Sequence, residues 1–98
     1  MSFETIITDT RSGVGYLIFN RPNKLNAINE KCLDESYQAI KEFDNSKEVR
    51  VIVIKGSGER AFSAGADISE LADASSDFIE PYNRKWLKFF NAVESSPK

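Results

Sequence analysis

Four consecutive β-branched residues, Val51, Ile52, Val53 and Ile54, constrain this chain more than any other feature. Stiff branched side chains without polar alternation suit a strand covered on both faces. The run sits in residues 49–71, VRVIVIKGSGERAFSAGADISEL, and Lys55 and Gly56 close it. Beyond it, Ala61, Ser63, Ala64, Gly65 and Ala66 keep side chains small, so a bound molecule could approach the main chain closely. Asp67 stands where a helix would begin, with Ile68 and Leu71 at the i, i+3 spacing of one apolar face. Such a junction points backbone N–H groups at a ligand and reads as an anion or oxyanion site. A plain surface loop returning to a helix is the alternative.

The rest of the chain supplies a frame for that junction. Residues 3–8 alternate weakly and read as a strand, Arg11-Ser12-Gly13 as a turn, and residues 15–19 as the hairpin partner. Pro22 lacks a backbone donor and pushes Arg21 toward extended geometry, which makes residues 20–27 a loop. Within it, Asn20, Arg21, Pro22 and Asn26 are expected to brace the turn rather than to do chemistry. Asn29 is a plausible N-cap for a helix over residues 30–43, with Leu33, Tyr37 and Ile40 on one face. A strand over residues 49–55 would then lie parallel to the strand at residues 15–19, with the helix as a right-handed crossover. Residues 72–76 form a small, polar connection. A last helix starts near Glu80 with Pro81 in its first turn and carries Phe78, Tyr82, Trp86, Phe89 or Phe90, and Val93 along one stripe.

Composition removes several classes of function. Ninety-eight residues allow one domain at most, and a formal charge of −2 gives no broad positive field for nucleic acid or anionic membrane. Arg84, Lys85 and Lys88 read as the polar side of an amphipathic helix. The chain has no His, which excludes His-dependent triads and HExxH zinc sites within it, and its single Cys32 fits a reducing compartment. No long apolar run or signal-peptide pattern is present, so the cytosol is the expected location.

Rival motifs are weaker. Residues 56–61 match GxGxxA after a strand, but no helix opens within them and no acidic residue ends a second strand about 20 residues on. Ser63 lies outside GxSxG and has no His partner, while Glu59 and Glu70 read as solvated carboxylates.

Two blocks together are more specific than either alone. GYLIFNRPNKLNAI at residues 15–28, and VRVIVIKG followed by FSAGADISEL at residues 49–56 and 62–71, resemble the first and central signatures of the enoyl-CoA hydratase/isomerase, or crotonase, superfamily. The similarity covers nearly the whole chain. It implies an α/β fold, the opening of the crotonase-like (ClpP/crotonase) spiral of strand-strand-helix units, with residues 1–98 as the N-terminal portion of one domain whose C-terminal remainder is absent. It further implies that the Ala66 N–H is one of two oxyanion-hole donors to a CoA thioester, with Ala64, Gly65, Asp67 and Ile68 along the acyl-CoA path. Lys24 and Leu25 match positions that often contact the nucleotide or phosphate end of CoA, with a merely solvated surface lysine as the alternative for Lys24. The second donor and the acid and base glutamates would lie farther on.

The implied chemistry is enolate stabilisation, for hydration of a 2-enoyl-CoA or, alternatively, double-bond isomerisation. A non-catalytic CoA-binding or association fragment is the reading from another class. Coenzyme A would enter as part of the substrate with no separate cofactor, and complete relatives of this kind assemble as homotrimers or hexamers.

Overall fold

A β-hairpin opens the chain in a computed structural model that describes residues 3–71 and 76–98. Its strands are β1 (Ile6–Arg11) and β2 (Val14–Phe19). Arg11 pairs with Val14, which leaves Ser12 and Gly13 as a two-residue connection with φ of 52° and 82°. Positive φ at both central positions supplies the twist that antiparallel strands require. The first strand therefore runs later than the expected residues 3–8, because so short a turn carries pairing up to its edge. Arg11 is held in the strand by Asp9 at 2.8 Å and by the Tyr16 ring at 4.8 Å. Glu4 and Thr5 instead donate their backbone N–H groups to the Glu35 carboxylate.

A short 3-10 turn (Pro22–Lys24) leads to α1 (Glu30–Asp44). Asn29 caps this helix as its sequence suggests, its side chain accepting the Cys32 N–H at 2.8 Å. β3 (Val51–Gly56) follows and pairs in parallel with β2, so the expected strand-helix-strand unit is present. The single turn α2 (Ile68–Leu71) and the long α3 (Ser76–Ser95) complete the chain. The core joins Ile6, Leu17 and Phe19 of the sheet to Leu33, Ile40 and Phe43 of α1 and to Tyr82, Phe89 and Ala92 of α3. Lys85 docks α3 onto α1 by reaching Glu30 and Asp34, each at 2.9 Å. No helix of the described residues is long and apolar enough to cross a membrane.

Three further expectations change. β3 is not covered on both faces: Ile52 and Ile54 pack on the core, whereas Val51 and Val53 are 49% and 37% exposed. The strand lies at the sheet edge, order β1-β2-β3, and its register puts Ile54 beside the buried Leu17 and Val53 beside Tyr16. Among the described residues the helices serve the Leu17 face alone. α3 begins ahead of Glu80, which places Pro81 in its interior. The missing Pro81 N–H forfeits one helical bond, while Phe78 and Tyr82 stack at 5.5 Å across that turn. Finally, Ile68 is 78% exposed, so it forms no buried face. The Leu71 side chain and the connection at residues 72–75 lie outside the described residues.

Candidate functional site

The last pair of the parallel ladder, Phe19 with Gly56, brings the two sequence blocks out of the sheet side by side. Ser57 donates its N–H to the Phe19 carbonyl at 2.8 Å, and Asn26 then ties the two departing loops together. Its Oδ1 accepts the Arg21 N–H, and its Nδ2 donates to the carbonyls of Ser57 and Ala61, all at 2.9 Å. To aim that buried amide inward, Leu25 and Asn26 both adopt left-handed backbone, with φ of 53° and 56°. This geometry costs a non-glycine residue roughly 1–3 kcal/mol and persists only where the surroundings enforce it. The loop folds so closely over the end of β3 that a Cβ on Gly56 would stand 2.2 Å from the Phe62 carbonyl oxygen. Only glycine fits there.

The small-residue loop is fixed from several sides. Ser63 Oγ donates to the Asn26 carbonyl at 2.8 Å and accepts the Gly65 N–H at 3.0 Å, while the Ala64 N–H donates to the Leu25 carbonyl at 2.9 Å. Gly65 turns the chain at φ 89°. Its carbonyl accepts the Ile28 N–H at 2.7 Å, and the Ile28 carbonyl accepts the Asp67 N–H at 3.0 Å, making a parallel bridge between Ile28 and Ala66. In a trans peptide the C=O and N–H point in opposite directions. With the Gly65 carbonyl turned onto Ile28, the Ala66 N–H of the same peptide therefore points away from it. Among the described residues, the Ala64, Gly65 and Asp67 N–H groups each donate within the chain and that of Ala66 has no acceptor.

Asp67 closes the loop. Its Oδ1 accepts the Ser69 hydroxyl at 2.6 Å and the Ser69 N–H at 3.0 Å, while Oδ2 meets Arg21 Nη1 at 2.9 Å. The same Nη1 donates to the Ala27 carbonyl at 2.7 Å. The Ser69 hydroxyl foremost, and then Arg21, hold the Asp67 carboxyl below the usual carboxylate range against the opposing effect of burial. Glu70 is also engaged, accepting the Glu30 N–H at the start of α1, so it is not simply a solvated carboxylate.

The structure thus brings Leu25, Ala64, Gly65, Ala66 and Asp67 into one bonded unit. Within it Asp67 is buried with its carboxylate occupied, Gly65 and Ala66 are half-buried, and Ala64 is exposed. Lys24 and Ile68 stand exposed at the two sides. An apolar hollow of about 390 Å³ lies where Phe62, Ser63 and Gly65 face Trp86 and Phe90. A second, of about 310 Å³, is lined by Pro22, Leu25 and Asn26 and by residues 57–61. Residues 56–61 open no helix, which agrees with the GxGxxA match being incidental. Sequence reasoning missed two contacts within the unit. The Arg21–Asp67 pair spans 46 positions, and the Tyr82 hydroxyl, read only as part of an apolar stripe, donates to the Ile28 carbonyl at 2.8 Å. The available signal was a hydroxyl-bearing ring where Phe would have served packing alone.

Comparison with known proteins gives one consistent answer. The family model "Enoyl-CoA hydratase/isomerase" matches residues 9–98. A probable enoyl-CoA hydratase of Rhizobium meliloti is 40% identical over 98 residues, covering 100% of this chain and 37% of the relative. The mitochondrial 3-hydroxyisobutyryl-CoA hydrolase of Gallus gallus is 33% identical over 96 residues, covering 95% of this chain and 25% of the relative. A crystal structure of an enoyl-CoA hydratase from Bacillus anthracis superposes with a TM-score of 0.92 at 25% identity, covering 97% of this chain and 37% of that one. The chain spans about a quarter to two-fifths of the length of these relatives. With matches of this extent, the chain belongs to the enoyl-CoA hydratase/isomerase family, whose N-terminal crotonase-fold portion it represents.

Proposed function

We propose that residues 1–98 are the N-terminal portion of a single crotonase-like domain and supply half of an acyl-CoA site. The Ala66 N–H donates to the thioester oxygen as that oxygen gains enolate charge. One observation carries this reading: the Ala66 N–H is without an acceptor among the described residues, between neighbours whose N–H groups are all committed. A preorganised donor of this kind contributes about 2.7–4 kcal/mol when aimed at a developing oxyanion. Ala64, Gly65, Asp67 and Ile68 border the acyl-CoA path, and Lys24 with Leu25 faces the phosphate end of CoA.

In the complete protein the reaction is hydration of a 2-enoyl-CoA. Double-bond isomerisation and thioester hydrolysis also place negative charge on the thioester oxygen, so the acid and base groups, not this loop, choose among them. Coenzyme A arrives as part of the substrate, no further cofactor is required, and the complete protein is a cytoplasmic homotrimer or hexamer. A second reading, an association module without catalysis, draws support from the exposure of Phe62, Ile68 and Phe90.

Titrating the isotope-labelled chain with butyryl-CoA and with CoA separates the two. The oxyanion reading expects the Ala66 amide resonance to move with the thioester only, and the thioester to bind roughly 2- to 10-fold more tightly than CoA. Ala66→Pro should erase that preference, and Lys24→Ala should weaken both ligands alike. Equal binding of the two by the unaltered chain, with a still Ala66 resonance, would sink the oxyanion reading in favour of the association module.

A further inference from the structure

An oxyanion donor is useful only if its direction is fixed before the charge arrives. The direction of the Ala66 N–H follows from the grip of Ile28 on the Gly65 carbonyl, so whatever orients Ile28 orients the donor. The Ile28 carbonyl accepts two hydrogen bonds, from the Asp67 N–H at 3.0 Å and from the Tyr82 hydroxyl at 2.8 Å. Tyr82 comes from α3, is 2% exposed, and is held between Phe78, stacked at 5.5 Å, and Trp86, edge-on at 6.3 Å. Its ring has no freedom to carry the hydroxyl elsewhere, and its own α3 is fastened to α1 through Lys85.

We propose that Tyr82 is a positioning residue, whose hydroxyl holds Ile28 in the orientation that aims the Ala66 N–H at a thioester oxygen. The proposal rests on the oxyanion reading of Ala66. The aromatic packing of α3 and the hydrogen-bonded loop then act as one device: the ring is fixed by its neighbours, the hydroxyl by the ring and the Ile28 carbonyl by the hydroxyl, while one peptide back the Ile28 N–H holds the Gly65 carbonyl and with it the donor. Arg21 supports the same assembly from the other side by joining the Ala27 carbonyl to Asp67.

The test is Tyr82→Phe in the 98-residue chain, which removes one oxygen and keeps the packing. Amide exchange should show protection at Ile28 and Asp67 falling by roughly tenfold relative to Leu17 in the core. The preference for butyryl-CoA over CoA should fall by roughly threefold or more, with the affinity for CoA itself within about twofold of the unaltered chain. Ile40→Val, a core change away from the loop, serves as the control that lowers stability and leaves the preference in place. A Tyr82→Phe chain that keeps both the preference and the Ile28 and Asp67 protection overturns the positioning role alone. An unaltered chain with no preference overturns the oxyanion reading, and the proposal with it.

Discussion

The loop between β3 and α2 and the outward side of α3 are neighbours across one hollow, yet they meet the demands of burial in opposite ways. The loop's polar side chains are paired: Ser63 and Asp67, with Asn26 of the turn before α1, find hydrogen-bond partners inside this chain, and no buried side-chain nitrogen or oxygen among the described residues lacks one, so that the Ala66 N–H stands out among those of residues 64–67 as the free main-chain donor. The outward side of α3 is apolar and open, with Leu87 and Phe90 more than half exposed. Polar atoms must be paired wherever water is excluded, so such a loop can be completed by two short nearby segments. Apolar area needs a broad surface to cover it, and this chain amounts to 37% of the length of its Rhizobium relative.

Substitutions should expose that contrast, the loop responding strongly and the open side little. The largest effect is expected for Asn26→Ala, which strands the Arg21 N–H and the Ser57 and Ala61 carbonyls together. Urea unfolding should show a loss of about 3–5 kcal/mol; a loss below about 1 kcal/mol would mean that the loop is not held by this amide. Asp67 comes next. Because its folded pKa lies below the ordinary carboxylate value, its contribution is complete above that value and disappears as pH falls through the lowered one. Stability should decline below about pH 4–5, and Asp67→Asn should cost about 1–2 kcal/mol at neutral pH while flattening that part of the acid limb. Glu35 adds acid sensitivity of the same sign, since burial pushes its carboxyl up but the Thr5 hydroxyl and the Glu4 and Thr5 N–H groups pull it below its ordinary value. Smallest of all is Phe90→Ser, with a stability change under about 1 kcal/mol and a drop in binding of a hydrophobic dye. A large destabilisation there would erase the contrast.

Much of this arrangement was legible in the sequence because its causes are local. Asn29 announces its helix, Ser12-Gly13 its hairpin, and the run from Val51 to Ile54 its strand. Asn26 and Arg21 could be assigned to bracing the loop because residues around a proline turn need such anchors. What escaped depends on which surfaces meet. Val53 carries the same branched side chain whether or not anything covers it, and its exposure follows from β3 lying at an edge. Pro81 reads as a helix opener until the stacking of Phe78 on Tyr82 is seen. The Tyr82 hydroxyl and the Arg21–Asp67 pair join segments far apart in the chain, beyond the reach of any spacing rule.

The pairing of Phe19 with Gly56 also has a kinetic side. That contact closes a long stretch of chain containing all of α1, an entropic cost met only once the helix and the parallel strands have come together. The hairpin and α1 can form early from local contacts, whereas Asn26 cannot reach Ser57 and Ala61 until the ladder is shut. The candidate site is therefore expected to assemble after the hairpin and α1, and pulse-labelled refolding should find the amides of residues 57–67 protected after those of β1, β2 and α1.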